Sequence, residues 1–130
     1  MNRLFRLLVF FLGLSSVMAQ NPIEDYQKDY YANGQLKSEG RLKQDLAEGL
    51  WIYYYESGEK RIERWMKAGK NHGKSLWYHR NGQIGWEENY VDGMAEGTFT
   101  YYSADGEIKA TKVYKAGREI SYTVNGIQQR

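Results

Sequence analysis

The sequence predicts an all-β protein: an antiparallel meander of about four 24-residue β-hairpin repeats in one elongated, twisted or curled sheet. Three observations predict it. Glycines recur in phase, with Gly34, Gly58, Gly82 and Gly106 each 24 residues apart, as are Gly49, Gly73 and Gly97, and Gly69, Gly93 and Gly117. Tyr30, Tyr54, Tyr78 and Tyr102 keep the same step. Between the glycines lie short stretches of Tyr, Trp, Ile and Val alternating with charged residues, which is strand composition. Self-similarity at a fixed period of this length is the mark of a repeat architecture.

Residues 1–19 stand apart from this pattern. Arg3 and Arg6 precede an apolar run of eight, residues 7–14, and Ala19 ends the segment with a small side chain. That arrangement reads as a secretory signal peptide cleaved near Ala19. The run is too short to cross a bilayer as a helix. Cleavage would leave 111 residues with 16 basic and 16 acidic side chains, so the pI of 8.7 for the whole chain overstates its basicity. No block of like charge suggests a nucleic-acid or anionic-lipid surface, so membrane contact is at most weak. The chain has no cysteine. Its stability is expected without disulfides, and a lipid anchor on a cysteine is excluded. The expected destination is the periplasm or the extracellular space.

Residues 20–29 are expected to be a lead-in carrying the single proline, Pro22. The repeats follow over residues 30–117. Asn33 with Gly34, Ser57 with Gly58, Asn81 with Gly82 and Asp105 with Gly106 form turn dipeptides that suit a two-residue type I′ hairpin, where both positions need positive φ. Gly49, Gly73 and Gly97, with the third glycine set, are expected to bound a second, looser connection. About eight strands result. Residues 118–130 are expected to add a partial strand near residues 120–124 and a tail.

Side-chain alternation then sorts the residues onto two faces. One face should collect Trp51, Tyr53 and Ile62, then Trp77, Ile84 and Trp86, then Phe99, Tyr101 and Ile108, an aromatic and aliphatic core row. The other should carry Tyr30, Tyr54, Tyr78 and Tyr102 amid charges, as a tyrosine ladder and candidate binding ridge. The run Tyr53, Tyr54, Tyr55 is thereby split: Tyr53 in the core row, Tyr54 on the ladder and Tyr55 at the margin near Lys60.

The unit Y-Y-x-N-G-x-L-K-x-E-G followed by G-x-W resembles the MORN-repeat variant of bacterial proteins labelled YwqK-type antitoxins. Tyr30, Tyr31, Asn33, Gly34, Leu36, Lys37, Glu39, Gly40, Gly49 and Trp51 carry it in the first repeat. Tyr78, Asn81, Gly82, Ile84, Glu87, Gly93, Gly97 and Phe99 carry it later. The resemblance covers about residues 26–117. It implies protein scaffolding or dimerisation. Lys60 departs from the leucine position, and Gly85 stands where other repeats have Lys37, Arg61 and Lys109.

No chemistry is isolated by the sequence. Residues 68–75 (AGKNHGKS) fit the loose phosphate-loop pattern, but a strand-like LWYHR follows where a helix is required, so no ATP binding is expected. His72 and His79 fall in different repeat phases with no third metal ligand. No cofactor, metal or catalytic residue is expected. The leading expectation is a non-enzymatic exported β-repeat scaffold that mediates protein–protein interaction at the cell envelope, with homodimerisation possible. One alternative is an aromatic repeat module for glycan or choline-type ligands, since G-x-W-x-Y-Y is similar to choline- and glucan-binding repeats. Another is an immunity-like protein that neutralises an exported toxin.

Overall fold

The computed structural model describes residues 24–129. The signal peptide and its cleavage site lie outside the described residues. Eleven antiparallel strands form one open sheet: β1 (Glu24–Tyr30), β2 (Leu36–Lys43), β3 (Leu46–Tyr54), β4 (Lys60–Lys67), β5 (Lys70–Tyr78), β6 (Ile84–Val91), β7 (Met94–Ala95), β8 (Gly97–Tyr102), β9 (Ile108–Lys115), β10 (Arg118–Val124) and β11 (Ile127–Gln129). Each strand pairs with its sequence neighbour, except that β7 and β8 both pair with β6 as one interrupted strand. The meander therefore begins before the first repeat, since β1 occupies most of the lead-in. It continues past the last, where β10 and β11 turn the expected partial strand and tail into a full strand and a short one.

The two kinds of connection are the reverse of the sequence expectation. At Gly58 the loop is a type I turn closed by a glycine bulge: Gly58 N–H donates to the Tyr55 carbonyl (2.9 Å) and Tyr55 N–H to the Glu59 carbonyl (2.8 Å). Only the glycine has positive φ (103°), so one left-handed position suffices, not two. Gly34, Gly82 and Gly106 repeat this geometry. The other end of the sheet carries type I′ turns, a form that recurs at Asn125 (φ 47°) and Gly126 (φ 78°) between β10 and β11. Gln44 (φ 52°) and Asp45 (φ 61°), then Ala68 (φ 47°) and Gly69 (φ 76°), are both left-handed, and Asp92 with Gly93 and Ala116 with Gly117 follow suit.

Gly49, Gly73 and Gly97 are not turn residues. They lie at breaks in the ladder: Arg64 pairs with Ser75 and Met66 with Asn71, so the single residue Trp65 faces His72, Gly73 and Lys74. The left-handed glycine absorbs the extra length, as at a β-bulge.

A one-residue bulge near each glycine-closed turn also corrects two core assignments. Trp77 pairs with Trp86, but the next pair is Tyr78 with Ile84, skipping Gly85. Tyr101 pairs with Ala110, then Tyr102 with Ile108, skipping Lys109. Skipping one residue reverses the face of everything beyond it. Ile84 and Ile108 therefore stand beside the ladder tyrosines, not in the core row, and Ile108 is 58% exposed.

Trp51, Ile62 and Phe99 are buried, with Tyr53, Trp77, Trp86 and Tyr101 half-buried around them. Among the described residues, no second layer covers this face. Its burial comes from neighbouring side chains on the same face. Gly40 is part of that packing: a Cβ there would lie 2.3 Å from the Trp51 ring. The indole rests flat against bare backbone and donates from Nε1 to the Arg41 carbonyl (3.0 Å).

Candidate interaction surface

Each tyrosine of the run Tyr53, Tyr54, Tyr55 has its own task, because successive side chains leave a strand in different directions. Tyr53 lies on the aromatic face, its ring 6.4 Å from Trp51. Tyr54 donates from its hydroxyl to Glu39 Oε1 (2.7 Å) on the other face. Tyr55, nearest the turn, is not simply marginal: its hydroxyl donates to the Tyr78 carbonyl of the next hairpin (2.7 Å). Tyr31 does the same toward the Tyr54 carbonyl (2.7 Å), and the turn-to-turn series continues with His79 Nε2 donating to the Tyr102 carbonyl (3.0 Å).

That last contact explains Gly85. In the first repeat Lys37 lies over the Tyr31 ring at 5.9 Å. In the third repeat His79 takes the tyrosine place, and its ring sits so close that a Cβ on residue 85 would be 3.1 Å from Nε2. His79 thus lies against the space that Gly85 leaves by having no side chain.

The ladder tyrosines are not alike. Tyr30 is 58% exposed on β1. Tyr54 and Tyr78 are half-buried, and Tyr78 donates to Glu63 Oε2 (2.8 Å) as Tyr54 does to Glu39. Burial and the carboxylate bond push both phenols up to about 12. Glu39 is held below the ordinary carboxylate range, chiefly by the Tyr54 hydroxyl. For Glu63, burial works the other way, but bonds from Lys60 and Tyr78 outweigh it and lower its pKa too. The equivalent bond is missing between Tyr102 and Glu87, whose carboxylate lies 3.6 Å from Lys74 Nζ instead. Glu87, Tyr102 and Ile84 line a shallow depression of about 240 Å³.

The aromatic face carries a continuous run of rings. Trp77 and Trp86 stack at 4.8 Å, Trp86 approaches Tyr101 at 6.3 Å, and Phe99 bridges Tyr90 (5.5 Å) and Tyr114 (4.6 Å). A row of charge runs through them at the repeat step, formed by Arg64, Glu88 and Lys112. The Arg64 guanidinium lies 5.3 Å from the Tyr53 ring and 5.7 Å from Trp77. Such geometry joins apolar contact area to a charged handle.

One feature escaped the sequence reading. Trp65 lies on the ladder face, 51% exposed, opposite Leu50, which is 38% exposed. With Tyr26, Arg41, Gly49 and Ile52 they line a depression of about 360 Å³. Its signal was a break in the period: Arg41, Asn89 and Val113 occupy the equivalent places. Residues 68–75 fold as the Ala68 and Gly69 turn followed by β5, a strand where a phosphate loop needs a helix. His72 Nδ1 lies 3.1 Å from Asp92 Oδ1, at a turn far from His79.

A chain from the crystal structure of accessory secretory protein 1, 2 and 3 in Streptococcus pneumoniae is similar over 79% of this chain and 19% of its own length, with 17% identity and a TM-score of 0.46. This chain thus spans about a fifth of that one. No curated protein matches the sequence significantly. The MORN repeat variant matches four times, at residues 26–44, 47–64, 71–92 and 95–116. Those four matches take in β1 to β9, the paired hairpins and both glycine devices, and by them the chain belongs to the MORN repeat variant family.

Proposed function

We propose that this protein is a non-enzymatic, exported scaffold that binds another protein at the cell envelope through its aromatic face. The observation that carries the reading is that face: stacked tryptophans and tyrosines, threaded by Arg64, Glu88 and Lys112, with no second layer over them among the described residues. An apolar sheet face is normally buried against another element. Here the stacked rings are half-buried among one another, and Trp, Tyr and Arg dominate the energetics of interaction sites. Export rests on the N-terminal segment with Arg3, Arg6 and the apolar run. Glu39 and Glu63 are engaged with ladder tyrosines in bonds that tie neighbouring hairpins together.

Site-specific photocrosslinking in the source organism tests this. A photoreactive residue replaces Tyr101 or Tyr114 on the aromatic face, or Thr100 or Thr111 on the other. The expected result is a discrete protein adduct from the first pair only, on a chain that begins at Gln20 and fractionates with the envelope. Equal crosslinking from both faces would sink the binding surface. An unprocessed cytoplasmic chain would sink export. An adduct with polysaccharide would replace the protein partner by a glycan.

A further inference from the structure

The charged row on the aromatic face contains an inversion. At three successive 24-residue steps, residues 64, 88 and 112, the chain places one charged side chain between flanking rings. Arg64 lies over Tyr53 and Trp77, and Lys112 lies over Tyr122 at 4.9 Å. At the middle step the residue is an acid, Glu88. Its Oε2 accepts from Trp77 Nε1 (3.3 Å) and from the Tyr90 hydroxyl (3.1 Å). Among the described residues no cation pairs with it, although Glu39, Glu63, Glu87, Glu107 and Glu119 each have one within 4.0 Å. The rings around it are Trp77, Trp86, Tyr90 and Tyr101. Its charge is felt there: burial first, and Glu88 second, push the Tyr90 phenol up to about 12.

We propose that Glu88 and the rings of Trp77, Trp86, Tyr90 and Tyr101 form a binding site for a positively charged side chain, a lysine or arginine presented by the partner protein. The inference rests on the protein-binding reading above and names the chemistry of its central contact. The chain itself fills the neighbouring steps with its own cations over rings. At Glu88 it supplies the rings and a negative charge, and an incoming cation completes the row. Ring faces attract a cation through their quadrupoles, and the carboxylate adds a direct charge interaction. Two cations of the chain oppose this from the adjacent steps, about 10 Å away at two strand spacings. Lys112 is offset by Glu119 Oε2 at 2.9 Å, and Arg64 is spread over two rings. The four tryptophans make the site observable, because Trp77 and Trp86 are in it, Trp51 lies farther along the same face and Trp65 is on the opposite face.

The test is titration of the processed protein, recovered from isotope-labelled cells, while its four indole N–H signals are followed by NMR. The probes are Nα-acetyl-lysine amide, Nα-acetyl-arginine amide, the neutral Nα-acetyl-norleucine amide and tetramethylammonium. The expected result is a saturable shift of the Trp77 and Trp86 signals with the lysine and arginine probes, none at Trp65, and about tenfold weaker binding in Glu88→Gln. Weakening of the wild-type titration between low and high salt is a second readout that needs no variant. Equal shifts with the norleucine probe, unchanged affinity in Glu88→Gln, or no shift at all would overturn the site. Binding of tetramethylammonium without lysine or arginine would overturn the partner chemistry. If the partner adduct from Tyr114 survives in Glu88→Gln while the titrations fail, the cation site is wrong and the scaffold stands. If the wild-type chain gives no adduct from the aromatic face, the scaffold reading has failed instead.

Discussion

The two faces of this sheet are built from the same residue type and held in different ways. On the aromatic face, Tyr53, Tyr90, Tyr101 and Tyr114 pack chiefly through their rings beside Trp51, Trp86 and Phe99, although the Tyr90 and Tyr114 hydroxyls also reach Glu88 and Glu119. On the ladder face, Tyr54 and Tyr78 act as hydroxyls, each aimed at one carboxylate of the preceding hairpin. Ring packing depends on volume and is indifferent to pH near neutrality. A hydroxyl–carboxylate bond depends on direction and on the ionisation of both partners. The difference teaches that one periodic tyrosine pattern serves two kinds of cohesion. Substitutions that change volume should act on the first face, and those that delete a single oxygen on the second.

The largest expected effect is Phe99→Ala, which removes a ring only 4% exposed and should cost about 3–4 kcal/mol in urea unfolding. Thr100→Ala, one residue on and facing the other way, should cost about 0.5 kcal/mol or less. Equal losses would erase the distinction between the faces. Next comes Gly40→Ala, where the added methyl would strike the Trp51 ring. It should cost about 1–3 kcal/mol and alter the near-ultraviolet circular dichroism of the indole. An unperturbed variant would mean that Trp51 does not lie against residue 40.

On the ladder face, Tyr54→Phe should cost about 1 kcal/mol, and Tyr102→Phe close to nothing, since Tyr102 has no bond to Glu87. The pH dependence sharpens this. Glu39 and Glu63 have lowered pKa values in the folded state, so their contribution is present above about pH 4.5 and is lost as pH falls through the folded values. Tyr54 and Tyr78 have raised values, so their contribution is present below pH 10 and is lost as pH rises toward about 12. Urea midpoints across pH should fall at both ends, and the Tyr54→Phe and Tyr78→Phe double variant should flatten both limbs. A pH profile unchanged by that pair would remove the ionic role of the ladder. A further effect has the opposite sign and touches neither face: Ala68→Gly, at φ 47° in a type I′ turn, should stabilise by about 0.5–1 kcal/mol.

Much of the fold was legible because a tandem repeat states each constraint several times. The glycine phases gave the hairpin period, and Trp51, Tyr53, Ile62, Trp77, Trp86, Phe99 and Tyr101 fell on one face as alternation required. Alternation failed at Ile84 and Ile108, since a bulge of one residue has no letter of its own. The turn types were exchanged for a related reason: Asn33 with Gly34 satisfies a glycine-closed type I turn as well as a type I′ turn, whereas Ala68 and Gln44 give no hint of positive φ. Of the candidate surface, the tyrosine step was visible and the exposed Trp65 was visible only as a broken period.

By itself the sequence determined the repeat, its length, the strand composition and the inward face of most rows, because these follow from local periodicity and from the polarity of each side chain. Only the tertiary structure decided which tyrosines are rings and which are hydroxyl pins, why Gly85 accompanies His79, and that Glu88 lies among rings without a cation. Those outcomes depend on partners in neighbouring hairpins, often 15 or 23 residues away in the chain, whose distances and directions are set by strand register and bulges.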